Sequence, residues 1–170
     1  MSFLDKFTSK PQLPKSCSEV KPDFTQEEAE AINRSLKMHA SIANADAPAG
    51  TEACIPIKAK NAIIAQALAQ YVGDLMLGLQ RHSNNQPAVL LDKAVKAQMK
   101  AYAIHNLPVY LFEVARLFER AGDVAKAKEF FRQFLTAQST FQPDRIDTLF
   151  LKQTGFDISS AITAAKEKLR

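Results

Sequence analysis

The side chains with most chemical potential are His39, His82 and His105, Cys17 and Cys54, and the acidic cluster Glu27, Glu28 and Glu30. A zinc centre needs histidines one helical turn apart or paired with cysteines, as in HExxH or C-x-x-C spacings. Here the histidines are isolated from one another, and Cys54 has neither a nearby histidine nor a C-x-x-C partner, so no metal site is expected. No Walker loop or G-x-G-x-x-G stretch is present to cradle phosphate or dinucleotide, and no cofactor is expected. The three glutamates suit a helix N-terminus, where the dipole favours negative charge. His105, just before a helix boundary, is expected to cap a helix or lie on the surface. No catalytic residue is assigned, and a non-catalytic role is expected. The alternative is a small helical enzyme whose site only the fold assembles.

The basic residues form two groups. Lys93, Lys96 and Lys100 make a stripe at helical spacing, in the part of the chain (56–107) whose own balance is +4, against −2 before it and +2 after it. A nucleic-acid surface would be denser in charge and interleaved with aromatics. Tyr71 and Tyr102 are too few for that, so nucleic acid is not expected and the stripe reads as a solvated face. Arg116 and Arg120, one turn apart, suit a carboxylate-bearing peptide, or a solvated face pairing with Glu113 and Glu119. The start, MSFLDKFTSKPQLPK, holds no signal-peptide core. Gln66, Gln70 and Asp74 interrupt the most apolar segment, 61–79, and argue against a membrane span. A cytoplasmic protein with free thiols is expected.

The elements that must position these residues are helical. Ala, Lys, Gln, Glu and Leu dominate, the 170 residues include only 5 Gly, and 46% are apolar, which favours one all-α domain with a real core. Residues 1–24, with three prolines, read as an irregular or mobile leader ahead of a single domain at 25–170. Thr25 and Glu28 have capping-box spacing and open a helix over about 26–43. Residues 44–55 read as a loop. Pro56 fits the first turn of a second helix, whose apolar stripe runs through Ile64, Leu68, Tyr71, Val72, Leu75 and Leu79. A third helix, about 88–105, carries Ala94, Ala97, Ala101 and Ala103, which suggests a close neighbour. A fourth opens at Asn106–Pro108 and closes at Gly122. Asp123 caps a fifth, 124–139. Pro143 and Asp144 start a sixth that Gly155 ends, and Asp157 caps a seventh ending near Leu169.

On a helical wheel, Tyr110, Leu111, Val114, Ala115, Leu117, Phe118 and Ala121 share one arc of helix four. Val109, Phe112, Glu113, Arg116, Glu119 and Arg120 share the other. On helix five, Val124, Ala127, Phe130, Phe131, Phe134 and Leu135 face one way. The short Ala-Gly-Asp turn folds the two helices back antiparallel, with Ala115 and Ala127 where their backbones come nearest.

Leu111-x2-Val114-Ala115-x2-Phe118 followed by Ala127-x3-Phe131 resembles the 34-residue tetratricopeptide repeat, W-x2-L-G-x2-Y then A-x3-F. The closing proline arrives late, at Pro143. Asp123, Val124, Ala127 and Leu135 recur 34 residues later as Asp157, Ile158, Ala161 and Leu169. Arg145, Thr148, Leu149 and Lys152 match poorly, so the second unit reads as a degenerate terminal repeat. The resemblance covers 108–170. It implies about seven helices arranged as antiparallel hairpins, ending in a right-handed superhelical segment.

Proteins of this family are similar in use, as adaptors or scaffolds that hold peptides in a groove. The resemblance therefore implies a protein or peptide partner at Val109, Phe112, Arg116, Glu119 and Arg120. Phe112, a large aromatic amid charges, is either an exposed anchor or a contact for another helix of this chain. The Lys-x-x-x-Asn pair by which some members hold a C-terminal carboxylate is absent. A homo-oligomeric subunit of a larger assembly is the other role left open.

Overall fold

The computed structural model describes residues 22–39, 54–81 and 87–170. Among them are seven α-helices and no strand, as the composition predicts: α1 (Gln26–Met38), α2 (Cys54–Arg81), α3 (Pro87–His105), α4 (Val109–Arg120), α5 (Val124–Thr140), α6 (Arg145–Thr154) and α7 (Ile158–Lys168). The leader before residue 22, Cys17, His82, residues 44–53 of the expected 44–55 loop and the expected extension of the first helix past His39 lie outside the described residues, as does the side chain of Cys54. Residues 54 and 55 of that loop are helical instead and open α2. No helix among the described residues is long and apolar enough to cross a membrane.

The Thr25–Glu28 capping box forms. The Glu28 N–H donates to Thr25 Oγ1 at 3.2 Å, and the Thr25 N–H donates to Glu28 Oε2 at 2.9 Å. That oxygen also accepts from Lys100 Nζ at 2.6 Å, so the cap is buried against α3. Glu27 accepts from the Tyr71 hydroxyl at 2.6 Å and from Lys93 at 3.2 Å. The acidic cluster thus starts α1 and also ties it to α2 and α3. Lys96 pairs with Asp92 at 2.6 Å within α3. The lysine stripe is therefore largely a set of ion pairs.

α2 and α3 pack most extensively. Ala65 and Leu68 of α2 and Ala94, Ala97 and Ala101 of α3 are fully enclosed. Their small side chains let the two backbones approach, as the alanines suggest; Ala103 lies outside this contact and is exposed.

The α4–α5 hairpin closes as expected. Gly122 adopts φ +78°, which suits a residue without Cβ, and Asp123 accepts the Lys126 N–H at 3.1 Å. Ala115 and Ala127 are buried at the contact, with Phe131 and Phe134 beside them. Phe118 is only partly buried and stacks on Phe130, with ring centroids 5.5 Å apart. α4 belongs to two cores. Tyr110 and Leu117 enter the α1–α3 core together with Phe150 of α6, whereas Leu111, Phe112 and Ala115 enter the α5–α7 core. The second unit departs from a packed hairpin: α6 lies on α2, and α7 lies on α5 and α4.

His105 neither caps nor faces solvent, which corrects the expectation from sequence. Its ring is buried, with Nδ1 3.1 Å from the Tyr110 hydroxyl and Nε2 3.2 Å from Asp147 Oδ1. Asp147 Oδ2 accepts from Lys58 Nζ at 2.9 Å and from the Asp144 N–H at 3.1 Å, and Lys58 also reaches Asp144 at 2.6 Å. One carboxylate thereby links α2, α3, α4 and α6. An ionised carboxylate only accepts, which assigns the His105 proton to Nε2. Burial pushes the Asp147 carboxyl up, but the hydrogen bonds from His105, Lys58 and the Asp144 N–H, with the Lys58 charge, bring it down to about 2. Burial and the Asp147 charge raise the Tyr110 phenol well above its ordinary value.

Two stability outcomes follow from this packing. Phe131→Ala should lower the unfolding free energy by about 3–5 kcal/mol in a denaturant melt, as expected for a buried aromatic. Because the Asp147 carboxyl sits below its ordinary 3.8, its stabilisation is complete above that pH and is lost as pH falls toward about 2. The loss should amount to about 2 kcal/mol. In denaturant melts from pH 5 to pH 2, Asp147→Asn should show a lower starting stability and a flatter decline than the parent.

Candidate functional site

Between α4 and α7 runs an open groove of about 650 Å³. Phe112 and Val109 of α4 and Ala161 and Ala164 of α7 give it an apolar floor. The turn Gly155–Asp157 forms one lip, with Gly155 at φ +66° ending α6 and Asp157 capping α7 by accepting the Ser159 N–H at 3.0 Å. Glu119 and Lys168 form an ion pair that straps α4 to α7 across the rim. Ala69 of α2 and Gln98 of α3 form part of the opposite wall.

Four of the five residues picked from sequence, Val109, Phe112, Arg116 and Glu119, line this groove. Arg120 does not. It borders a neighbouring depression of about 390 Å³ between α2 and α4.

Phe112 is not an exposed anchor. Only 7% of it is accessible, and its ring packs against Phe134, Phe131 and Phe156 at centroid distances of 5.2, 5.6 and 5.8 Å. The wheel places it on the outer arc because α4 alone shows one neighbour, α5. In the fold the 155–156 turn covers its other side. Arg116 and Arg120 are exposed, and neither makes an ion pair among the described residues; Glu119 pairs with Lys168 instead.

Gln98 and Glu113 also line the groove and escaped the sequence reading as site residues. Both border the groove and the neighbouring depression. Gln98 is only 2% accessible, and its amide makes no hydrogen bond among the described residues. No fully enclosed side-chain oxygen or nitrogen lacks a partner there, so this amide opens onto the cavity. A signal existed in the sequence: Gln98 and His105 continue the buried stripe of Ala94, Ala97 and Ala101 at steps of three and four. Glu113 is partly buried and makes no hydrogen bond or ion pair among the described residues. Burial raises its carboxyl above the ordinary value, and the charges of Arg116 and Arg120 offset this only in part.

No three His, Cys, Asp or Glu side chains among the described residues come together to hold a metal ion. The His105–Asp147 pair is enclosed, with neither side chain more than 3% accessible, so it does not meet the groove as a reactive group.

The raised Glu113 carboxyl has a measurable consequence. A carboxyl raised on folding favours the native state at low pH, and that contribution is lost as pH rises from the unfolded value through the folded one. Glu113→Gln removes this slope. Its stability relative to the parent should therefore improve between pH 4 and pH 7 in denaturant melts, leaving the variant at least as stable as the parent at neutral pH.

Comparison of the chain with protein families, with curated proteins and with solved structures returns no match.

Proposed function

We propose that this chain is a non-catalytic binding module, a tetratricopeptide-like adaptor or scaffold that holds a protein or peptide segment in the α4–α7 groove. In this reading the α4–α5 hairpin is one repeat, α6 and α7 are a divergent terminal unit in a right-handed superhelical order, and the module works in the cytoplasm. The observation that carries it is the groove itself: an open trough with an apolar floor, with Gln98 and Glu113 on its wall and Arg116 at its rim making no hydrogen bond or ion pair among the described residues. Apolar surface supplies affinity, and the few polar groups set orientation. The enclosed His105–Asp147 pair favours a binding role over a catalytic one.

A second reading, a subunit of a homo-oligomer, draws on a different surface. A depression of about 460 Å³ bordered by Met76, Leu91 and Phe118 has an apolar lining. It would be supported by a solution mass at a multiple of the 18.8 kDa chain.

The groove reading is tested by selecting peptides from a displayed twelve-residue library on the full chain. Ser160→Trp places bulk in the groove at an exposed position, and Arg116→Ala removes the rim cation. Ser160→Trp should reduce affinity for the selected peptides at least about tenfold. Arg116→Ala should reduce it about three- to tenfold, with melting behaviour within about 0.5 kcal/mol of the parent, as is usual for surface changes. Selected peptides that bind both variants undiminished would place binding elsewhere.

A further inference from the structure

We infer that Gln98 and Glu113 form a recognition site for a single basic side chain, lysine or arginine, of the segment bound in the groove. This rests on the groove reading and names the partner's chemistry. The two residues come from different helices, α3 and α4, yet both border the groove and the neighbouring depression, with Ala69 of α2 beside them.

Their shared feature is an unmet demand. Gln98 is buried, and its amide, which opens into the cavity, makes no hydrogen bond among the described residues. Glu113 is a partly buried carboxylate without a hydrogen bond or ion pair among the described residues. A buried polar group without a partner is destabilising, and a desolvated charge more so, unless a complementary group arrives. Arg116 and Arg120 have no such need, because they are exposed and remain hydrated.

The donor–acceptor inventory selects the ligand. An ionised carboxylate only accepts, and the Gln98 carbonyl adds another acceptor. An ammonium brings three N–H donors and a guanidinium five, with no acceptor, so either suits the Glu113 carboxylate and the Gln98 carbonyl, and the Gln98 NH2 would donate to a carbonyl of the bound segment. The aliphatic stem of such a side chain would lie along Ala69 and Val109, leaving its charged head at Glu113. A ligand carboxylate would meet Glu113 as a like charge. A run of basic residues would also meet Arg116 and Arg120, which follow Glu113 along α4. The pattern expected is therefore one basic residue with neutral or acidic neighbours, rather than a polybasic stretch.

The test uses the peptides selected on the full chain, resynthesised with the common basic residue replaced by norleucine, and the Glu113→Gln variant. That variant keeps hydrogen-bonding atoms and shape but removes the charge. The selected peptides should share one lysine or arginine. Norleucine replacement and Glu113→Gln should each lower affinity at least about tenfold, and the two changes together should lower it little further, because they remove the same interaction. If the peptides share no basic residue, or Glu113→Gln stays within twofold of the parent, the inference is overturned. Loss of binding in Ser160→Trp under those circumstances would still leave the groove in place. If no peptide is selected, or Ser160→Trp binds normally, the groove reading falls and this inference with it.

Discussion

The arrangement depends on the Asp147 carboxylate. It receives hydrogen bonds from His105, Lys58 and the Asp144 backbone, and through His105 it reaches Tyr110. Three helices, α2, α3 and α6, therefore meet at one side chain, and α4 joins them through His105. A buried ion pair adds little net stability relative to a well-packed apolar replacement, because desolvation offsets most of the attraction. Its effect is directional. An apolar contact at this position would tolerate α6 sliding along α2, whereas each hydrogen bond here fixes a distance and an angle. With α6 held, Gly155 and Asp157 can set the lip of the groove at one height relative to α4.

The second constraint is that α4 serves two cores at once. Tyr110 and Leu117 are committed to one side, and Leu111, Phe112 and Ala115 to the other. A twelve-residue helix so used retains only a narrow strip facing outward. Glu113, Arg116 and Glu119 occupy it at steps of three. Glu119 is used by Lys168, which leaves Glu113 and Arg116 without ion pairs among the described residues. Burial raises the Glu113 carboxyl, and Gln98 and Ala69 border the same groove beside it. The polar wall of the groove thus results from packing that has no spare apolar position to offer there.

The legible parts of the sequence were those decided within a few residues. Thr25 with Glu28, Gly122 with Asp123, and Gly155 with Asp157 act through local hydrogen bonds and backbone preference, and each stands where its spacing implies. Ala115 and Ala127 could be matched because a short turn leaves two helices only one way to return. What was not legible depends on partners far along the chain. His105 meets a residue 42 positions away, and Lys58 meets one 89 away. Phe112 stayed open between an anchor and an internal contact because nothing in α4 or α5 announces that Phe156 will cover it. Gln98 and His105 were nonetheless readable in principle, since both extend the alanine stripe of α3. Treating polar residues on a buried stripe as candidates for polar contacts would have found them.

The 34-residue recurrence shows where local pattern and global packing part. Asp157 and Ala161 repeat the roles of Asp123 and Ala127, one capping a helix and the other sitting buried against a neighbour. The preceding helix does not follow suit. α6 carries Asp147 and Phe150, and both face the α2–α3 side, so α6 lies on α2 and leaves α7 without a hairpin mate. α7 then places Ala161 and Ala165 on the α4–α5 pair. Had α6 packed on α7 as α4 packs on α5, α7 would have had its close neighbour within its own unit. The groove between α4 and α7 therefore exists because α7 sets small residues on the α4–α5 pair while α6 is held on α2 through Asp147.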